Sequence, residues 1–74
     1  MNFSDALIRL KQGYRLTRLS WNGRNMFIML AHADVLASSK EEYLPYIELK
    51  NNQDKRVPWT ASQSDILADD WETV

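Results

Sequence analysis

A chain of 74 residues is expected to form a single domain, residues 1–74, and a domain this small buries only about 60% of its unfolded surface. The absence of cysteine and the single histidine exclude disulfides and a Cys/His zinc site. A formal net charge of -1 argues against non-specific binding of DNA or RNA, and no apolar run approaches the roughly 20 residues that cross a membrane. We therefore expect a cytoplasmic protein, without metal or cofactor, whose small core is supplemented by oligomerisation.

The first predicted element is a short helix over residues 3–13. Ser4 is the candidate N-cap, Asp5 suits the positive end of the helix dipole, and Gly13 can adopt the left-handed conformation that ends a helix. Apolar residues at helical spacing predict its inner face: Phe3, Leu7 and Leu10.

Two strands joined by a turn at residues 22–23 are predicted next. Residues 14–18 alternate with the period of a strand, and residues 26–31 are apolar at every position. A strand that is apolar on both faces must be covered on both faces. Because two short helices can hardly cover both sides of a sheet, the second face is a candidate subunit interface.

The middle of the chain contains a long loop followed by a predicted hairpin. Residues 33–43 are small and charged, and a loop this long in so small a domain is either mobile or a lid over a site. Residues 46–50 and 55–57 are predicted strands on either side of a polar turn at 51–54. Pro58 is expected to end that hairpin.

A second helix is predicted near the C-terminal end, with two possible starts. Thr60 and Gln63 have the spacing of a capping box, and Ser62 with Asp65 offers a second frame. The residues expected to point inward from this helix are Ile66 and Leu67.

Residues 71–74 are short and β-prone, and we expect them to form a final edge strand. The predicted fold class is therefore α+β. It consists of a small antiparallel sheet of about four to five strands with an N-terminal and a C-terminal helix, assembling as an oligomer.

Each of the three tryptophans stands beside polar or turn-forming residues: Trp21, Trp59 and Trp71. Large planar rings near amide, hydroxyl and carboxylate groups suit a pocket for a flat polar ligand such as a nucleobase. In a small domain, however, a tryptophan commonly forms the core itself. That core interpretation is stronger for Trp71 than for the other two.

No residue pattern supports catalysis, so we expect a binding protein and not an enzyme. Two glycines are too few for a phosphate-cradling loop, and His32 at the end of an apolar strand is more often packed or exposed than a catalytic base. Asp65, Asp69 and Asp70 can in principle ligate Mg²⁺ or work as an acid/base pair. Their structural interpretation, as a helix N-terminal carboxylate and a solvated helix end, is favoured.

A fairly specific pattern extends over both ends of the chain and fails only between about residues 33 and 43. Its segments are residues 2–7, Gly13, Thr17-Arg18, Trp21-Asn22-Gly23, Met26, Val57-Pro58-Trp59, Ser62-Gln63, residues 65–68 and Asp69-Asp70-Trp71. In these residues the chain resembles the second Thoeris anti-defence protein family, which consists of small phage and prophage proteins.

The resemblance implies a messenger sponge. Members of that family assemble as homotetramers and sequester glycocyclic ADP-ribose, the messenger of bacterial Thoeris defence, without cleaving it. Some members also take up cyclic dinucleotides of a second defence system, CBASS, in separate pockets. For this chain the resemblance leaves the cyclic dinucleotides open.

The predicted site combines aromatic stacking with polar recognition. Trp21 and Trp59 are the candidates for stacking on a base, and Arg18 or Arg24 would meet the phosphates, together with the amides that open the second helix. Amide, hydroxyl and carboxylate side chains would bind base edges and ribose hydroxyls. The full set of predicted ligand-binding residues is Asn2, Phe3, Arg18, Trp21, Asn22, Arg24, Met26, Trp59, Thr60, Ser62, Gln63 and Asp65.

Two hypotheses of other classes remain. The first is a small oligomeric protein-interaction domain that uses an aromatic surface, which predicts exposed tryptophans and no cavity with converging polar groups. The second is a nucleotide-processing enzyme that uses the aspartates with a divalent metal.

Overall fold

The computed structural model of the protein describes residues 1–21, 25–31 and 44–74. No helix in these ranges is long and apolar enough to cross a bilayer. The described elements are, in chain order, α1 (Phe3–Lys11), β1 (Leu16–Arg18), β2 (Phe27–Ala31), β3 (Tyr46–Lys50), β4 (Arg56–Pro58), α2 (Gln63–Ile66) and β5 (Trp71–Thr73).

The strands form an antiparallel sheet in the order β4-β3-β2-β1-β5. This confirms the predicted α+β class, an antiparallel sheet of about four to five strands with an N-terminal and a C-terminal helix. The predicted hairpin is present, but its second strand lies one residue later than predicted because Pro58 still pairs opposite Glu48 at the sheet edge. The predicted turn at 22–23 and loop at 33–43 lie outside the described residues, as does His32.

The N-cap of helix α1 is Asn2 and not the predicted Ser4. The Asn2 side-chain oxygen accepts a hydrogen bond from the Asp5 amide at 2.9 Å. Ser4 therefore lies inside the first turn, and its prediction as N-cap was wrong. Asparagine and serine are equally good N-caps, so packing decides between them. The frame that starts at Asn2 buries Ala6 and Leu10 completely.

The end of α1 is the predicted one. Gln12 is the C-cap, and Gly13 follows with a φ of 95°.

We expect Gly13→Ala to lower the free energy of unfolding by about 1–2 kcal/mol, because an L-residue is strained at positive φ. Steric crowding adds nothing, since a Cβ at this position meets no described atom within 4 Å. Urea unfolding measures the loss, and Gly13→Asn should lose less because asparagine tolerates this conformation. A Gly13→Ala variant as stable as the original chain would refute this account.

The core lies between α1 and one face of the sheet. Ala6 and Leu10 of α1 contact the fully buried Leu16, Ile28 and Trp71 of three neighbouring strands. Trp71 is 1% exposed, which confirms its interpretation as a core residue. The partly buried residues that extend this core are Phe3, Leu7, Trp21, Ile47, Leu49, Trp59 and Ala68.

The opposite face of β2 is partly covered by cationic side chains of the same chain. Phe27 is only 5% exposed, and the charged groups of Arg15 and Lys50 lie 5.1 Å and 5.4 Å from the centre of its ring. On the same face, Arg56 contacts the Met29 sulfur at 3.8 Å. Long basic side chains can cover apolar surface with their alkyl stems. Some of the cover that the sequence assigned to a second subunit therefore comes from the chain itself.

Helix α2 is a single turn that follows the second of the two predicted frames. Ser62 is its N-cap and accepts a hydrogen bond from the Asp65 amide at 3.1 Å, so the frame that starts at Thr60 was wrong. Ile66 and Leu67 are 45% and 77% exposed, and their predicted burial was also wrong. Polar contacts of Asp65, described below, attach this turn to the sheet in place of an apolar helix face.

Candidate functional site

Four aromatic rings gather beside the helix ends, and we call them the aromatic cluster: Phe3, Trp21, Trp59 and Trp71. The buried Trp71 ring is central, with ring centres 5.5 Å from Phe3, 5.3 Å from Trp21 and 6.0 Å from Trp59. The three surrounding rings are half-buried. The cluster therefore consists of one buried central ring and three partly exposed rings around it.

The rings of the cluster meet at an angle. Trp21 and Trp59 stand nearly perpendicular to Trp71, at 79° and 87°, and Phe3 is tilted by 39° from Trp59. Edge-to-face pairs are favourable because the positive ring edge meets the negative ring face. None of these pairs is stacked face to face, and the three outer rings each keep part of their surface exposed.

Local structure explains how two of the outer rings reach the cluster. Phe3 is the first residue of α1, directly after the Asn2 cap. Trp59 follows β4, and its amide donates to the Ile47 carbonyl at 2.9 Å, which holds the chain against the neighbouring strand as it leaves the sheet. Both rings therefore project from the ends of regular elements.

An ion-pair network, which we call the Arg18 bridge, lies beside the cluster. Arg18 Nη1 lies 2.8 Å from Asp65 Oδ1, and Arg18 Nε lies 2.7 Å from Asp70 Oδ1. The three side chains are only 16%, 16% and 27% exposed. The bridge connects β1 to α2 and to the residue that precedes β5.

Asp65 connects the Arg18 bridge to the aromatic cluster. Its Oδ1 also accepts from Trp21 Nε1 at 3.4 Å, and its Oδ2 accepts from the Ser62 hydroxyl at 2.9 Å. Its main-chain carbonyl accepts from Trp71 Nε1 at 2.9 Å. Trp21 and Trp71 therefore both donate a hydrogen bond to Asp65, Trp21 to its side chain and Trp71 to its backbone carbonyl.

The charges of the bridge are mutually stabilised. Burial raises the pKa of Asp65, but hydrogen bonds from Arg18, Ser62 and Trp21 outweigh burial and hold that pKa below its usual value. The hydrogen bond from Arg18 likewise lowers the pKa of Asp70. Hydrogen bonds to both carboxylates raise the pKa of Arg18. At neutral pH all three groups are charged.

These shifts predict a loss of stability in acid. A carboxylate whose pKa is lower in the folded chain stabilises the fold above its unfolded pKa, near 3.8, and loses that contribution as the pH falls through the folded pKa. The melting temperature should therefore fall below about pH 4. In Asp65→Asn and Asp70→Asn the melting temperature should fall less in acid than in the unmodified chain, because one of the two titrating carboxylates is absent. Thermal unfolding followed by circular dichroism between pH 2 and 7 tests this, and an unchanged pH profile in both variants would contradict it.

The structure brings half of the predicted ligand-binding residues together around Trp71: Phe3, Arg18, Trp21, Trp59, Ser62 and Asp65. Asn2 lies beside Phe3, but its side-chain oxygen caps α1. Thr60 and Gln63 are exposed between Trp59 and Asp65, and Met26 is half-buried just before β2. Asn22 and Arg24 lie outside the described residues.

Two groups predicted to bind phosphates already have partners. The Nε and Nη1 atoms of Arg18 contact carboxylates, which leaves Nη2 as its atom without a carboxylate partner in the described structure. Helix α2 is a single turn, and Ser62 already occupies the Asp65 amide at its start. It is therefore a weaker anion site than the sequence suggested.

Sequence reasoning missed the part that Asp70 plays. The sequence predicts a solvated helix end at Asp70, but its Oδ1 pairs with Arg18 and its Oδ2 accepts from the Ser20 amide at 3.1 Å. The sequence shows that Asp70 stands beside Trp71, but it does not show that Arg18 is the partner of Asp70. The pairing of β1 with β5, which sets Arg18 opposite Trp71, had to be known first.

Comparison with known proteins identifies the family. The sequence model of the Thoeris anti-defense 2-like domain matches residues 1–74. The chain belongs to the Thoeris anti-defense 2-like family. A relative, "Thoeris anti-defense 2" of Bacillus phage SP01, is 40% identical over 84 aligned positions, which cover 100% of this chain and 94% of that protein. The resemblance found in the sequence is confirmed, and Thoeris anti-defense 2 membership supports a phage anti-defence role.

Proposed function

We propose that the chain binds a cyclic nucleotide immune messenger and sequesters it without cleavage, so that the Thoeris effector is not activated. Glycocyclic ADP-ribose is the proposed ligand, and cyclic dinucleotides of CBASS are a second candidate class. The place of action is the cytoplasm of the infected bacterium. The observation that carries the proposal is the aromatic cluster, in which three half-buried rings surround a buried one.

The chemistry of the cluster matches an adenine nucleotide. Stacking a base on one aromatic ring contributes about 1–3 kcal/mol, so two rings supply a large part of tight binding when they are already in place. The half-buried Trp21 and Trp59 are the two rings proposed for this contact. Exposed hydrogen-bonding side chains adjoin them in the chain, among them Thr60 and Gln63.

Sequestration in place of cleavage is supported by the state of the carboxylates. A general acid must still hold its proton at the working pH, so its pKa lies near or above that pH. The pKa values of Asp65 and Asp70 are both lowered, and each carboxylate is paired with Arg18. Neither is prepared to donate a proton at neutral pH.

Calorimetric titration of glycocyclic ADP-ribose into the purified protein tests the proposal. The complex is then heat-denatured, and the released nucleotide is analysed by mass spectrometry. Tight binding with recovery of intact ligand is the expected result. Recovery of altered nucleotide alone rejects sequestration. Absence of binding rejects this ligand, and the same titration with cyclic dinucleotides then decides between the second ligand class and a protein partner.

We propose further that the chain assembles as a homo-oligomer, a tetramer as the family resemblance implies. Its support is the small core together with large apolar side chains that remain outside it, including Leu19 at 67% and Leu44 at 86% exposed. Native mass spectrometry at micromolar concentration measures the assembly. A monomer under those conditions would reject it.

The alternative function is a small oligomeric protein-interaction domain that uses an aromatic surface. It predicts exposed tryptophans, whereas Trp71 is buried and Trp21 and Trp59 are half-buried. Binding of neither nucleotide class in the titrations would favour this alternative.

A further inference from the structure

We propose that Asp65 is a positioning residue that fixes the ring of Trp21 for stacking and does not itself bind the ligand. The inference rests on the proposed function, because it assigns Asp65 a part in the same site. It also changes the predicted role of this residue, from recognition of base edges and ribose hydroxyls to support of the stacking ring.

The carboxylate of Asp65 is already occupied. Its Oδ1 accepts from Arg18 at 2.8 Å and from Trp21 at 3.4 Å, and its Oδ2 accepts from Ser62 at 2.9 Å. An ionised carboxylate has about four acceptor positions, so at most one remains. With 16% of the side chain exposed, little of it is accessible to a ligand.

The Trp21 ring is held at two points. It lies outside the strands, since β1 ends at Arg18, and its amide donates to the Arg18 carbonyl at 3.2 Å. Its ring packs edge-on against Trp71, and its Nε1 points to Asp65 Oδ1. Two side-chain dihedral angles are thus restrained by two contacts. A ring that is already oriented loses less conformational entropy when the ligand binds.

The position of Asp65 is set independently of Trp21. Its backbone is held through its carbonyl by Trp71 Nε1, and its side chain is held by Arg18 and Ser62. Arg18 is restrained in turn on its other side by Asp70. The Trp21 contact at 3.4 Å is long for a hydrogen bond, so it contributes little to the stability of the fold.

The first test measures the Trp21 ring in the ligand-free protein. In Asp65→Asn, the NMR order parameter of the Trp21 indole N–H should fall from about 0.85 towards about 0.6, because the ring loses its charged acceptor. Asp70→Asn is the comparison variant, because it removes the other carboxylate of Arg18 and the acceptor of the Ser20 amide but has no hydrogen bond to the Trp21 ring, so its effect on that ring should be smaller. An order parameter that stays high in Asp65→Asn, or that falls equally in both variants, overturns the proposal.

The second test is a double-mutant cycle on the affinity for glycocyclic ADP-ribose. Asp65→Asn should raise Kd about tenfold, whereas Asp70→Asn should change it less than about threefold. In a Trp21→Ala background, Asp65→Asn should have no further effect, because it acts through the ring that is gone. Additive losses in the double variant would mean that Asp65 contacts the ligand directly, and would overturn the proposal.

The two tests separate this inference from the proposed function. If the unmodified protein does not bind the messenger, the proposed function fails while the order parameters still decide whether Asp65 holds the ring. Should Asp65→Asn not fold, Trp21→Phe removes the indole N–H and keeps a ring that can stack. This variant has no indole N–H at position 21 whose order parameter could be measured, so its Kd for glycocyclic ADP-ribose is measured instead. The proposal expects weaker binding than in the unmodified chain, and equal affinity would overturn it.

Discussion

Trp21→Ala is expected to weaken binding of glycocyclic ADP-ribose about 10- to 100-fold, because one base–aromatic stack contributes about 1–3 kcal/mol. Trp21→Ala should lower the free energy of unfolding by less than Trp71→Ala does, because the Trp21 ring is only half-buried. Trp21 contacts the core through its packing against Trp71, and the Trp71 ring stays in place in this variant. Calorimetric titration measures the loss of affinity, and thermal unfolding of the same sample verifies that the variant is folded.

Tyr14→Ala is the matched control for this prediction. Tyr14 is also aromatic and is 46% exposed, but its ring packs under Arg9 and lies outside the aromatic cluster. Its loss should leave the affinity unchanged. A folded Trp21→Ala variant that binds the messenger as tightly as the Tyr14→Ala control would refute the assignment of the stacking site.

Trp71→Ala is expected to have the largest effect on stability. Replacing a buried tryptophan with alanine costs about 3–5 kcal/mol, a large part of the roughly 5–15 kcal/mol by which small domains are stable. Trp71 is 1% exposed and contacts the other three rings of the cluster. We expect this variant to be largely unfolded at 37 °C, as measured by circular dichroism and urea titration.

Two further variants determine which property of Trp71 matters. Trp71→Phe keeps a ring but leaves the Asp65 carbonyl without its indole donor, and should cost about 1–3 kcal/mol. Leu67→Ala also removes a large apolar side chain, but from a position that is 77% exposed, so it should change stability by less than about 0.5 kcal/mol. Comparable losses in Trp71→Ala and Leu67→Ala would show that burial in the core is not the cause.

Much of the fold could be predicted because its signals are local. The alternating residues 46–50 gave the bounds of β3, and Gly13 marked the end of α1. Predictions failed where two local signals compete. Asn2 and Ser4 are both good N-caps, and only packing against the sheet selects the first of them.

The contacts within the site were harder to predict because they join distant parts of the chain. The tryptophans and Arg18 were recognised as candidates by their chemistry. That Arg18 faces two carboxylates depends on contacts separated by 47 and 52 positions. Nothing in the local sequence distinguishes an arginine that meets phosphate from one that joins a strand to a helix. The family resemblance supplied the proposed ligand, but not this internal pairing.

The arrangement of the strands also determines when the site can form during folding. Strands β2, β3 and β4 are neighbours in the sheet, whereas β5 reaches β1 only after the chain has closed over most of its length. Contacts between distant residues pay the entropy of loop closure before they contribute to stability, so they tend to form late. The aromatic cluster and the Arg18 bridge depend on that last pairing. A partly folded chain that has formed only its hairpins therefore lacks both the aromatic cluster and the Arg18 bridge.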